Sequence, residues 1–214
     1  AKGVTPLWSV IFAACTVVAY IGLFFVCNFK VLSPGANDNL TGVFVAVSAL
    51  KCLKESGIRY ENTEVCALLT GSEEAGLRGA TAFTKRHKGE NKDVETYIIA
   101  FDTMRDYDYM TIYHRDMTGM VKNSPEVVAL LDEACNDPDV NHPLPHGVVP
   151  FGASDAAAFS RGGFKAAAVA GQNPKYAPYY HNRRDTPDQM IPETFALGLD
   201  IALAAIEAFD RDQK

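Results

Sequence analysis

The chain runs to 214 residues, 48% hydrophobic and 21% charged, a balance that suits one substantial globular core and excludes a disordered tail. Its net charge of −6, with no basic stripe, excludes nucleic acid as an expected partner. The five cysteines (Cys15, Cys27, Cys52, Cys66 and Cys135) are odd in number and lack metal-binding spacing, so they read as buried free thiols suited to a reducing compartment.

The first element is apolar. No residue from Gly3 to Asn28 is charged, and Leu7–Cys27 is hydrophobic almost throughout, with Lys2 and Lys30 at its flanks. About 20 such residues span a bilayer as a helix, so residues 1–30 are expected to form an apolar segment with a transmembrane helix. A signal peptide is the poorer reading, because no small-x-small cleavage site follows. A pair of buried core strands also competes, since Thr16-Val-Val and Phe24-Phe-Val are β-prone.

Residues 31–214 then alternate in the manner of an α/β domain. Ser33 to Gly42 is a turn rich in Gly, Asn and Asp that presents Asp38 and leads into a helix over Leu40–Glu55. That helix carries an apolar stripe (Val43, Phe44, Val47, Leu50, Leu53) and stops at Gly57. A strand is expected over Thr63–Thr70, a helix over Ala75–His87, and strands over Thr96–Phe101 and Tyr109–His114, the last nearer an edge. Ser124-Pro125 caps a helix through Cys135. Asn136–Val149 reads as loop, Ala153–Ser160 as a short helix, Lys165–Ala170 as a strand, and Gly171–Ile191 as a long loop. Pro192–Asp210 closes the chain as a helix with Phe195, Leu199, Leu203, Ile206 and Phe209 on one face. With no repeat and no low-complexity linker, one domain follows the apolar segment, with a mixed, mainly parallel sheet flanked by helices.

Four places in this pattern could carry chemistry. Glu73 and Glu74 follow an apolar β-rich run and lie between Gly71 and Gly76. Adjacent residues leave the backbone in different directions, so one carboxylate can hold a cation while the other faces a bound water. Metal-assisted hydrolysis needs that division. The ordinary alternative is that paired acids suit a helix amino terminus. Asp38 sits in the Asn-Asp-Asn turn, Asp102 ends the Tyr97–Phe101 run, and His181 lies in the Tyr179–Thr186 loop; taken singly, a cap, a strand-end and a surface histidine would each do. Together they place four oxygen or nitrogen ligands at strand ends and loops, where open α/β folds keep their clefts.

In these blocks the chain resembles the co-catalytic zinc aminopeptidase family, which includes bacterial leucyl-type aminopeptidases, the catalytic domain of glutamate carboxypeptidase II and glutaminyl cyclases. The resemblance runs from about Ser33 to Phe209 and keeps block order: Gly35-Ala-Asn-Asp-Asn39, Glu73-Glu74 with Gly76 and Gly79, Phe101-Asp102, Ser154-Asp155 and Tyr180-His181 with Asp185-Thr186. It implies that Asp38 bridges two zinc ions, that Glu74 and His181 complete the first shell, and that Asp102 serves the second. It further implies Glu73 as general base, Tyr180 as an oxyanion donor and Asp155 as an orienting rather than a ligating residue. For Tyr180, plain packing competes evenly with that role.

The family also takes a histidine from a His-x-Asp segment ahead of the Asp38 loop. None of the five histidines (His87, His114, His142, His146, His181) precedes Asp38, so one zinc site is complete here and the second awaits that residue. The chain opens on Ala1, and the economical expectation is that a membrane insertion separates an upstream His-x-Asp strand from the Asp38 loop. The resemblance implies a zinc-dependent exopeptidase acting on the amino terminus of peptides. A single-zinc glutaminyl-cyclase-like acyltransferase and a silent binding member of the fold are the alternatives. Residues 4–29 would give membrane association, with the catalytic domain facing the cytoplasm or, alternatively, a secreted protein.

Overall fold

The structure is a computed structural model; it describes residues 6–26, 32–89 and 93–213, with the side chains of residues 24–26 left aside. The chain divides into two compact units, residues 1–33 and 34–214.

In the first unit, α1 spans Leu7–Val26 and presents Leu7, Trp8, Phe12, Val18 and Tyr20 as exposed side chains. A single helix here overturns the paired-strand alternative. Among the described residues no helix is long and apolar enough to cross a membrane, so the expected transmembrane span is not borne out there. Cys27 and the flanking Lys2 and Lys30 lie outside the described residues.

The second unit is built on a mixed sheet. Its strands are β1 (Tyr97–Met104), β2 (Met110–Asp116), β3 (Val121–Lys122), β4 (His146–Val148) and β5 (Lys165–Gly171), in the order β1-β5-β2-β3 with β4 paired to β2. The longest ladder, β1 with β5, is parallel; β5 with β2 and β2 with β3 are antiparallel, and β2 with β4 is parallel. The helices are α2 (Thr41–Ser56), α3 (Arg78–His87), α4 (Pro125–Cys135), α5 (Asp155–Gly162) and α6 (Pro192–Asp212).

Alternation along the central strands distributes the core to both faces. Ala167 and Val169 of β5, with Ile99 and Phe101 of β1, pack with α2, α4 and α6 around the fully buried Ile112, Val127, Leu131 and Ile201. Ala166 and Ala168 of β5, with Ile98 and Ala100 of β1, face α3 and α5 through Ala80, Ala156, Ala157 and Phe159. The alanines let α5 approach β5 closely.

Local signals explain several boundaries. Gly57 ends α2 at φ 74°, the left-handed conformation in which glycine suffers no Cβ clash. The Ser124 side chain accepts a hydrogen bond from Val127 N with Pro125 at the first position of α4, and Ser154 caps α5 in the same way through Ala156 N.

Other expectations are corrected. Thr63–Thr70 joins no ladder; its β-prone residues stay extended, with Leu68 and Leu69 exposed. Strand propensity reports fit to a neighbour, and among the described residues this run has none. β2 is interior rather than near an edge, because β5 lies against it and β3 and β4 pair with it as well. The α2 stripe is also displaced. Val45 and Ala49 are buried, whereas Phe44, Val47 and Leu50 are exposed. Val43 and Leu50 line an apolar groove of about 910 Å³ with Val65, Ile99 and Phe101. The thiols are free but mostly not buried. Cys15 and Cys66 are exposed, Cys52 is half-buried, and Cys135 alone among the described cysteines is buried.

Candidate metal centre

Asp38 is carried by a tight turn, Ala36–Leu40, that feeds α2, and its peptide bond to Asn39 is cis. The flanking asparagine anchors the turn on β1. Asn39 Nδ2 donates to Phe101 O at 2.8 Å, while Asn39 Oδ1 accepts from Gly42 N at 3.0 Å and Thr103 N at 3.2 Å. Thr41 Oγ1 adds a bond from Met104 N at 3.0 Å. Gly42 permits this approach, since a Cβ there would stand 2.1 Å from Phe101 O. These contacts seat Asp38 beside Asp102. Asp102 does not end its strand; β1 continues to Met104, with a bulge at Thr103, φ 43°.

Glu73 and Glu74 sit on a compact loop that folds back before α3. Glu73 O accepts from Gly76 N at 2.9 Å and Leu77 N at 2.7 Å, and Gly71 O accepts from Gly79 N at 2.9 Å. A Cβ at Gly79 would meet Gly71 O at 2.4 Å, so glycine is required for closure. Helix α3 therefore starts at Arg78 rather than at Ala75. Thr70 Oγ1 donates to Asp155, which ties the start of this loop to α5. Asp155 lines the adjoining groove together with Glu73, Glu74 and Asp102.

Asp38, Glu73, Glu74, Asp102, Tyr180 and His181 all line one cleft of about 730 Å³. His181, held in the left-handed region at φ 54°, places Nε2 3.2 Å from Asp38 Oδ2 and 3.2 Å from Glu74 Oε1. One donor atom from each of Asp38, Glu74 and His181 lies within 4.8 Å of the others. Ligands bonded to zinc at about 2.0–2.1 Å in a tetrahedron stand roughly 3.3 Å apart. Two carboxylate oxygens and an imidazole nitrogen at these separations fit that ion in both chemistry and size. Tyr180 stacks on His181 with ring centroids 3.8 Å apart and planes at 19°.

The remaining histidines are engaged elsewhere. His146 Nε2 lies 2.7 Å from Asp132 Oδ1, His142 packs edge-on to Tyr107, and His87 packs against Phe83 rather than forming only a solvated face. His114 sits within β2, its Nδ1 buried.

Electrostatics mark the cleft as unbalanced. Burial, followed by the charges of Asp102, Glu74 and Glu73, pushes the Asp38 carboxyl up to about 8. Burial, then Asp102 and Glu74, likewise raises Glu73 to about 8. Asp102 rises to about 6 through burial, opposed by a hydrogen bond from Thr103. The Tyr180 phenol is also raised, by burial and then by Asp38 and Asp102. Crowded carboxylates that hold protons at neutral pH are relieved when a cation displaces those protons.

Residues to which sequence reasoning assigned no role hold this arrangement together: Asn37, Asn39 and Thr41 in the Asp38 turn, Thr70 before the glutamates, and Asp185 after His181. The signal available was a run of polar side chains ahead of an apolar helix, which reads equally well as turn chemistry.

Known proteins share this fold. The aminopeptidase of Aneurinibacillus sp. strain AM-1 shares 25% identity with a TM-score of 0.67, over 81% of this chain and 39% of that one. A zinc aminopeptidase from Bacillus subtilis matches at 22% identity and TM-score 0.67, over 81% of this chain and 42% of its own. A glutaminyl cyclase from an Acidobacteriales bacterium matches at 16% and 0.61, over 83% and 63%. The chain thus spans about 40% of the length of the two aminopeptidases. Residues 21–206 match peptidase family M28, and the chain belongs to that family.

Proposed function

We propose that this chain carries the catalytic centre of a zinc-dependent aminopeptidase that removes amino-terminal residues from peptides. The observation that carries the reading is the convergence of Asp38, Glu74 and His181 with Glu73 in the same cleft. Asp38, Glu74 and His181 would hold the ion. A bound zinc supplies Lewis acidity to the scissile carbonyl and lowers the pKa of water to about 7.

Glu73 takes a proton from the attacking water and returns it to the departing amine. A relay of this kind works best when its pKa lies near the working pH, and Glu73 is raised in that direction. Tyr180 stays protonated and donates a hydrogen bond to the developing oxyanion. Asp102, in the same cleft, would serve a second ion, which favours a two-metal hydrolase over a single-zinc cyclase. A silent binding protein would have no use for mutually repelling carboxylates in a cleft. Membrane association through the exposed apolar side chains of α1 is part of the proposal.

The test uses the full-length protein, stripped of metal and titrated with zinc while hydrolysis of an aminoacyl-p-nitroanilide is followed. Activity should return with zinc. His181→Ala should weaken zinc binding and abolish turnover. A wild-type protein that takes up no zinc would overturn the reading.

A further inference from the structure

Asp185 is fully buried, four residues beyond His181, and belongs to no helix or strand. Its carboxylate accepts three hydrogen bonds from the Asp38 turn: Oδ1 from Asn37 N at 2.8 Å and from Asn37 Nδ2 at 2.7 Å, and Oδ2 from Asp38 N at 3.0 Å. A fourth bond runs from Ala36 N to Asp185 O at 3.2 Å. The two segments are nearly 150 residues apart in sequence, and the bonds join the loop bearing one donor of the triad to the turn bearing another.

Resting on the metal-centre reading above, we infer that Asp185 is a positioning residue that clamps the Asp38 turn to the His181 loop and so fixes the separation of those two ligands. The geometry supports this on two counts. A backbone N–H hydrogen bond at residue 38 fixes the root of the ligating side chain itself. A carboxylate is also the one side chain of this length that offers two acceptor oxygens to donors arriving from both sides. His181 Nε2 stands 3.2 Å from Asp38 Oδ2, and both ligands are spaced from the protein side through this clamp. With φ 54°, the His181 backbone needs its surroundings to hold it, and the Asn182–Asp185 turn (Asp185 N to Asn182 O, 3.1 Å) joins it to the clamp.

Asp185→Asn tests the clamp. The amide keeps the volume but turns an N–H donor towards donors already present. Zinc binding is read by chelator competition, with the absorption spectrum of the cobalt-substituted protein and the melt of the metal-free protein recorded alongside. Loss of an outer contact of this type costs about 10- to 100-fold in metal affinity. That loss is expected here, with an altered cobalt spectrum and a cooperative metal-free melt. Asp185→Glu keeps charge and acceptors but lengthens the clamp, so its zinc affinity should fall between the two. Asn37→Ala removes one bond of four and should cost no more than about fivefold.

Wild-type zinc affinity and an unchanged cobalt spectrum in Asp185→Asn would overturn the clamp while leaving the metal centre standing. Failure of the wild-type protein to bind zinc would instead overturn the metal-centre reading. If Asp185→Asn does not melt cooperatively, the other two variants decide. A graded loss supports the clamp, and wild-type affinity in both overturns it.

Discussion

Strands β1 and β5 serve two regions of opposite character. On the α4/α6 side, Ile112, Val127, Leu131 and Ile201 are fully buried with no polar side-chain atom to satisfy. At the cleft, the same β1 delivers Asp102 into a group with Asp38 and Glu73, where burial and the charges of neighbouring carboxylates raise all three carboxyls. The first region reaches its minimum through packing alone. The second is left with crowded carboxyls whose negative charge is either suppressed by bound protons or offset by a cation. The difference separates what folds the domain from what the domain is for, and each side can be broken without the other.

The largest effect should come from Glu73→Gln. The substitution keeps the shape but removes the base, so turnover should fall by a factor of about 10² to 10⁴ with zinc content near wild type. Glu74→Gln should lower zinc binding and rate together. If the Glu73 variant sheds zinc while Glu74→Gln keeps both zinc and activity, the two roles are reversed. On the other side, Leu131→Ala should destabilise the domain by about 2–5 kcal/mol in a denaturant titration, through lost burial and a cavity. Zinc affinity of the folded fraction should not change. A parallel loss of zinc affinity would show that core and cleft are coupled.

How much of this was legible in the sequence follows the same division. Elements with local punctuation were readable: α2 to its Gly57 stop, α4 from Ser124-Pro125, α6 from Pro192. Five of the six cleft residues lie within three residues of a glycine or proline, and Asp102 follows the apolar, β-prone Tyr97–Phe101 run, so each falls in a segment readable as turn or strand. What depended on a distant partner was not. Thr63–Thr70 has strand composition without a ladder, and β2 alternates like an edge strand yet is paired on both sides. Hydrophobic pattern reports which faces are covered, and it is silent about which edges are. Asp185 shows the limit most clearly, since its partners lie nearly 150 residues away and its own neighbourhood reads as loop.

A smaller effect should appear with pH. The metal-free folded state holds protons on Asp38 and Glu73 up to about 8, whereas unfolded carboxylates release theirs near 4. Between those values the folded state binds more protons than the unfolded state, so the stability of the metal-free protein should fall as pH rises from about 4 to about 8. Zinc competes with the same protons and binds more tightly as they leave. The melting temperatures of zinc-loaded and metal-free protein should therefore diverge across this window. Parallel curves would mean that the raised carboxyls and the zinc seat are different places.

The smallest expected effect concerns α1. Residues 34–214 form a compact unit, and among the described residues its two cores draw on side chains from Val45 onward. Deleting residues up to 29 removes none of those described side chains, so the remaining domain should still melt cooperatively, with its midpoint little moved. The same deletion removes the exposed apolar surface of Leu7, Trp8, Phe12 and Val18, a patch of the kind that binds membranes or other proteins. Sedimentation with lipid vesicles, or a requirement for detergent, should therefore be seen in the longer protein and lost in the shorter one. A shortened protein that no longer melts cooperatively would place the amino-terminal segment inside the folding unit. One that still floats with vesicles would move the membrane contact to the domain itself, where the groove lined by Val43, Leu50 and Val65 would be the next surface to test.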